Sequence, residues 1–290
     1  MIPAAFDYHA PSSLSEAVAL LTKFGDGAKV LSGGQSLLPL LKLRLGQADH
    51  LVDIGRIPGL EYIKEEGGML RIGGRTRESA LEHSELIRTR YPILLDTVQV
   101  IADPLVRNMA TVGGNLAHGD PGNDHPATML VLGASVVATG PKGERVIPID
   151  KFFLGLFSTA LKPDEIVTEI RIPAPPARSG GAYVKFERKV GDYATAAAAA
   201  FVVLGASGVV EQAGLALTNV GPTAVRATAA EKLLVGKKPD AAALDGAARA
   251  AAQATSPNAD RRGAPDYKKE MGRVLALRAL KKATQRAGGH

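Results

Sequence analysis

"VLSGGQSLLPLLKLR", residues 30–44, joins an apolar run to a leucine-rich segment through two adjacent glycines. A second turn of the same kind, "TVGGNLAHGDPGND", stands at residues 111–124. Pro39 is compatible with a helix only in its first turn, which sets the helix start just after Gly34. Glycines there permit positive φ and remove the Cβ that would hold a ligand away. N–H groups left free at the helix start then face the gap and suit a phosphate or pyrophosphate. Ser32 and Ser36 add hydroxyl donors. Neither loop is Gly-x-Gly-x-x-Gly, and no Lys-Ser/Thr follows as in a P-loop, so neither of those nucleotide folds is supported. The second loop carries Gly113, Gly114, Gly119 and Gly122 beside Thr111, Asn115, Asp120, Asn123 and Asp124. Two such loops, one on each of two units, suit a long dinucleotide clasped between them. Asp124 has two readings from its position: an N-cap of the following helix, or an acceptor for ligand hydroxyls.

Working outward, Ser13-Leu14-Ser15-Glu16 is a capping-box pattern opening a helix that ends near Gly25. Strands are expected at "AKVLSG" (28–33) and "HLVDIGRI" (50–57), so residues 2–58 form a small α/β unit. "GLEYIKEEGGMLRIGG" (59–74) reads as a hairpin turning at Glu66-Gly67-Gly68. Helices follow in 76–87, 91–103 and 125–133, then a hairpin over 134–149 and a strand closing 157–173. "PAPPARSGG" (173–181) reads as the linker. Beyond it come three strands, 182–191, 194–206 and 209–221. The alanine run favours helix by propensity. Phe201-Val202-Val203-Leu204 and the flanking glycines argue for strand instead. Three helices are expected near 226–235, 240–254 and 266–285.

The chain has 290 residues, 46% of them apolar and 22% charged, as in an ordinary globular protein. No apolar run reaches the length of a membrane span, and the start has no secretory pattern. There are no cysteines, so no iron–sulfur cluster is held here through thiolates. The six histidines show no pair at helical ligand spacing, so no metal site is expected. Net charge is +6, its positives gathered in "RRGAPDYKKEMGRVLALRALKKATQR" (261–286). That stretch reads as a solvated face or a partner surface, not as a nucleic-acid site.

The two glycine motifs, in this order and spacing, resemble the FAD-binding medium subunits of molybdenum hydroxylases, with the aerobic carbon monoxide dehydrogenase branch nearest. The likeness continues through "AYVKFERKVGDYATAAAA" (182–199), "LALTNVGPTAVRA" (215–227) and "RRGAPDYKKEM" (261–271). It implies an α+β fold of the vanillyl-alcohol-oxidase or PCMH type over residues 1–176, in subdomains 1–58 and 59–176. A C-terminal α+β domain with a three-stranded antiparallel sheet and helices would follow over 177–290. It implies non-covalent FAD contacted by Ser32, Gly33, Gly34, Gln35, Ser36 and Leu37, with Lys29 flanking. Thr111, Gly114 and Asn115 would form the opposing clamp and Asp124 an acidic contact. Ile101 would wall the flavin, with Lys185, Asp192 and Tyr193 reaching its ring. Each has a plainer role too: Ile101 in a helix core, Lys185 on a strand surface, Tyr193 half-buried. His118 and Asp120 also sit in the motif, with shaping the loop as their plainer role. Gln35 departs from the His of some members and removes a titratable group. No catalytic acid or base is assigned.

The resemblance also implies partners: a small subunit with two [2Fe–2S] clusters and a large subunit with a molybdopterin centre, as a dimer of heterotrimers. Electrons would pass from the clusters through FAD to an external acceptor such as a quinone. Location would be cytoplasmic, at most beside the membrane through the complex. The alternatives are a medium subunit acting in aldehyde or N-heterocycle oxidation, a self-contained flavin oxidase, and a non-enzymatic nucleotide-binding module.

Overall fold

The computed structural model describes residues 1–289. The chain builds three sheets in succession, each covered by helices. The first has parallel strands β1 (Asp7–His9), β2 (Ala28–Leu31) and β3 (His50–Asp53) in the order β1-β3-β2. Helices α1 (Leu14–Phe24) and α2 (Leu37–Lys42) connect them. Ser13 caps α1 by accepting the Glu16 N–H. The Glu16 carboxylate reaches one residue further back than a capping box requires, to the N–H of Ser12 at 2.9 Å. β1 was not legible as a strand. Three residues show no alternation, and their pairing with His50–Val52 makes them one.

The second sheet has the order β4-β5-β10-β6-β7 and is antiparallel throughout. Its strands are β4 (Ile63–Glu66), β5 (Met69–Gly73), β6 (Ser135–Gly140), β7 (Gly143–Pro148) and β10 (Ile166–Pro173). A ribbon of β8 (Phe153–Gly155) and β9 (Ser158–Thr159) interrupts the run. The β4–β5 turn uses Gly67 and Gly68, both at positive φ, as a tight hairpin needs. Between β5 and β6 lie helices α3 (Glu78–Glu82), α4 (Glu85–Arg90), α5 (Pro92–Val98), α6 (Pro104–Arg107), α7 (Val112–His118) and α8 (His125–Val131).

The third sheet holds β11 (Ser179–Phe186), β12 (Ala196–Leu204) and β13 (Val210–Thr218), with a two-residue fourth strand β14 (Val225–Arg226). Helices α9 (Thr228–Leu234), α10 (Ala241–Gln253) and α11 (Pro265–Ala287) complete the chain. The alanine run is strand β12. Ala196, Ala198 and Ala200 face the C-terminal helices, whereas Ala197 and Ala199 join the core of the second unit. A sheet covered on both faces needs no polar alternation, and small side chains let both layers approach.

Candidate functional site

A cavity of about 540 Å³ opens between the three sheets, and every residue named above as a cofactor contact lines it. Lys29, on β2, and the loop Ser32–Leu37 come from the first unit. Ile101, Thr111, Gly114, Asn115 and Asp124 come from the second, Lys185 and Tyr193 from the third.

The first loop is laid backbone-on-backbone against the second unit. A Cβ on Gly33 would lie 2.2 Å from the Met109 carbonyl oxygen and 2.8 Å from the Ala110 Cα. Gly34 sits at φ +73, where only glycine is comfortable. Ser32 Oγ and Thr111 Oγ1, 79 residues apart, share a hydrogen bond of 2.9 Å. The backbone N–H groups of Gly33 through Leu37 donate to no acceptor among the described residues. Five consecutive uncommitted amides at the cavity edge are backbone donors of the kind that suits an anion.

The second loop works differently from the amide cradle expected of it. Its N–H groups are spent inside the protein: Gly113 on the Gly74 carbonyl, Gly114 on Thr111 Oγ1 and Asn115 on the Thr111 carbonyl. Thr111 is thus the N-cap of α7. What this loop offers the cavity is side-chain chemistry. Asn123 Nδ2 donates to the Asn115 carbonyl at 2.8 Å, and Asn115 Oδ1 is buried without a partner. A buried, unpaired amide oxygen in a cavity wall is an acceptor awaiting a donor.

Asp124 makes no side-chain cap for α8. Its carboxylate accepts from Tyr183 Oη at 2.7 Å and from Lys185 Nζ at 3.1 Å. Burial pushes the Asp124 carboxyl up, and Lys185 and Tyr183 pull it down. The Tyr183 phenol is raised well above its ordinary value by burial and by the neighbouring Asp124. Lys185, 2% exposed at its side chain, also donates to the Val100 carbonyl at 2.8 Å and faces Glu187 at 3.3 Å. The surface-lysine alternative therefore fails. Its charge is enclosed by two carboxylates rather than standing free.

Ile101 is buried at the cavity wall, its carbonyl accepting from Arg107 at 3.0 Å. Ala102 beside it has φ +46, an unusual conformation for a residue with a Cβ. Tyr193 is 44% exposed at the mouth, with its ring 3.1 Å from where a Cβ on Gly122 would be. Asp192 accepts from Arg262 at 2.6 Å and pairs with Arg188 at 3.0 Å. These cations, Arg262 first, hold its carboxyl down to about 2. His118 tilts against Phe157, 5.0 Å between ring centres, and burial lowers its imidazole. Asp120 Oδ1 accepts the Gly122 N–H, which shapes the loop.

Sequence reading missed the wall formed by Thr159, Leu161 and Ile166, and missed Gly74, whose added Cβ would lie 2.1 Å from the Val167 carbonyl oxygen. The Gly73-Gly74 pair was a usable signal for that close approach. The basic C-terminal stretch is largely consumed within the chain. Arg262 meets Asp192, Lys268 meets Asp260, and Lys282 and Arg286 meet Asp96. Among the described residues no group of three or more His, Asp or Glu is placed to hold a metal ion. No described helix is long and apolar enough to cross a membrane.

Residues 4–175 match the family model for the FAD binding domain in molybdopterin dehydrogenase. Residues 181–283 match that for the CO dehydrogenase flavoprotein C-terminal domain. The carbon monoxide dehydrogenase medium chain of Hydrogenophaga pseudoflava is 48% identical over 99% of both chains. The medium chain of Afipia carboxidovorans is 46% identical over 99% of both. The solved structure of the Hydrogenophaga pseudoflava enzyme superposes with a TM-score of 0.96 at 49% identity, over 99% of each chain. With glycine loops, cavity and full-length likeness in agreement, the chain belongs to the FAD-binding, medium-chain family of the molybdenum hydroxylases.

Proposed function

We propose that this chain is the FAD-carrying medium subunit of a molybdenum hydroxylase that oxidises carbon monoxide. Its partners are a small iron–sulfur subunit and a large molybdopterin subunit, paired as a dimer of heterotrimers. The observation that carries the reading is the convergence of both glycine loops, Lys185 and Tyr193 on one cavity. The residues fit the cofactor. The free amides of Gly33–Leu37 suit a diphosphate, and orphaned Asn115 Oδ1 suits a hydroxyl or N–H donor. The bound flavin supplies a site that takes two electrons and releases them to an acceptor, here proposed to be a quinone. The protein's part is placement and electrostatics. Ile101, in its buried carbonyl-anchored segment, and Leu37 exclude water from the wall. Lys185, fixed by Val100, Asp124 and Glu187, sets a lysine side chain in the wall between two carboxyl groups. Gln35, whose amide lies 3.5 Å from the Gly33 carbonyl, stiffens the first loop without adding a proton donor that titrates.

We also assign the chain two parts, residues 1–176 (as 1–58 and 59–176) and 177–290. The missing cysteines require the clusters to sit in another chain. The complex is proposed to work in the cytoplasm, beside the membrane when its acceptor is a quinone. Purification of the native complex tests the function, with assay of molybdenum, iron and flavin and of CO oxidation. All three components with CO oxidation support it. A complex that oxidises an aldehyde or an N-heterocycle but not CO moves the chain to another branch of the family. Substrate oxidation by this chain alone overturns the subunit reading.

A further inference from the structure

The loop from Arg188 to Tyr193 leaves strand β11 and forms the mouth of the cavity. Its fold is fixed from outside, by one residue some seventy positions later. Arg262 Nη2 donates to Asp192 Oδ1 at 2.6 Å, and its Nε donates to the Tyr193 carbonyl at 3.2 Å. Its guanidinium carbon lies 5.6 Å from the centre of the Tyr193 ring, within range of a cation–π contact. One planar group thus grips the side chain before Tyr193, the backbone of Tyr193 and the face of its ring. Arg262 is itself held. Its N–H donates to Asp260 Oδ1 at 2.8 Å, and Asp260 Oδ2 accepts from the buried Lys268 at 2.9 Å. Asn219 Nδ2 donates to the Ala194 carbonyl on the far side of Tyr193. A lysine would reach Asp192 but would not supply the fork or the flat face.

We propose that Arg262, which lies outside the cavity lining, is a positioning residue that orients Tyr193 for its contact with the flavin. The proposal rests on the FAD reading given above. It assigns a cofactor-site role to the segment "RRGAPDYKKEM", whose charge otherwise reads as ordinary surface. Three substitutions separate positioning from simple support. Arg262→Met removes the fork and the charge, Arg262→Lys keeps the charge alone, and Tyr193→Ala removes the ring.

The native complex carrying each variant chain is stripped of flavin and titrated with FAD, recording the dissociation constant and the bound flavin's visible circular dichroism. In parallel, the isolated chain is cut with trypsin at Arg188 and Lys189. Arg262→Met is expected to weaken FAD binding at least fivefold, alter the circular dichroism and speed loop cleavage. Arg262→Lys is expected to recover part of each effect. Combined with Tyr193→Ala, Arg262→Met is expected to add little further loss, because the two act as one unit. Faster cleavage with an unchanged dissociation constant and spectrum overturns the proposal, leaving Arg262 a loop support. Full additivity with Tyr193→Ala overturns it as well. If the wild-type complex takes up no FAD at all, the functional reading fails instead, and the trypsin result still reports on the clamp.

Discussion

A side chain at position 33 would collide with the backbone of Met109 and Ala110 before it met any ligand. Gly33→Val must therefore separate the two loops, break the Ser32–Thr111 hydrogen bond and spoil the cavity edge. The expected result is loss of flavin from the purified complex together with a lower melting temperature. Flavin content equal to wild type would show that the loops need not touch. His125 and Glu78, both fully buried, form a second residue-scale test at 2.8 Å. Burial lowers the His125 imidazole, but the Glu78 carboxylate, aided by Asp124, raises it further, and the net shift is upward. A raised imidazole stabilises the fold fully below about pH 6.5, and that contribution fades as pH rises through the folded value. Glu78→Gln should thus cost most at low pH, about 3–5 kcal/mol, the usual penalty for orphaning one member of a buried pair. The gap from wild type, read from urea midpoints at pH 6 and pH 9, should narrow as pH rises. A gap independent of pH would show that the pair is not charged. His118, lowered by burial, acts with the opposite sign, losing stability as pH falls below about 6.5, and it cancels in this comparison.

At the scale of elements, the close fit of α11 on the third sheet depends on glycine in β11. A Cβ on Gly180 would stand 2.2 Å from the Ala283 carbonyl oxygen and 2.4 Å from the Ala287 nitrogen. Gly180→Val should push the helix outward and cost about 3 kcal/mol, measured by chemical unfolding. Gly246, inside α10 with nothing near its missing Cβ, is the control. Gly246→Ala should stabilise by about 1 kcal/mol through helix propensity alone. Equal effects at the two sites would refute the packing account. These elements also show what the sequence discloses. The first glycine loop, the hairpins and the Ser13 cap were legible because each is dictated by local backbone geometry or by spacing along a few residues, whereas the second glycine motif, read as a turn, lies in helix α7. Strand β1, the Thr159–Ile166 wall and the Tyr183–Asp124–Lys185 cluster were not legible. Each exists because distant segments meet, and nothing in their local pattern records the meeting. The role of Asp124 is the clearest case, since its position next to a helix start suggested a cap, but its partners lie about sixty residues away.

Taken whole, the molecule does not divide cleanly at its proline-rich linker. Tyr183, Ala197, Ala199 and Ala216 of the third sheet share one apolar cluster with Leu94, Met129 and Val131 of the second unit. Asp96 on α5 is bound by Lys282 and Arg286 of α11 at 2.9 and 2.6 Å, and it also accepts the Tyr183 N–H at 3.3 Å. The second and third units should therefore unfold in one cooperative transition by calorimetry, with equal calorimetric and van't Hoff enthalpies. A fragment ending at residue 176 should bind an apolar dye and aggregate. Two resolved heat-absorption peaks would contradict the shared core.

Lys185 to Tyr193 is the stretch of the cavity wall made last, and its clamp Arg262 is made later still. A nascent chain presents the first glycine loop long before the opposite side of the cavity exists. Full cofactor retention is therefore expected only once this stretch has been made, and a product truncated before Lys185 should be colourless.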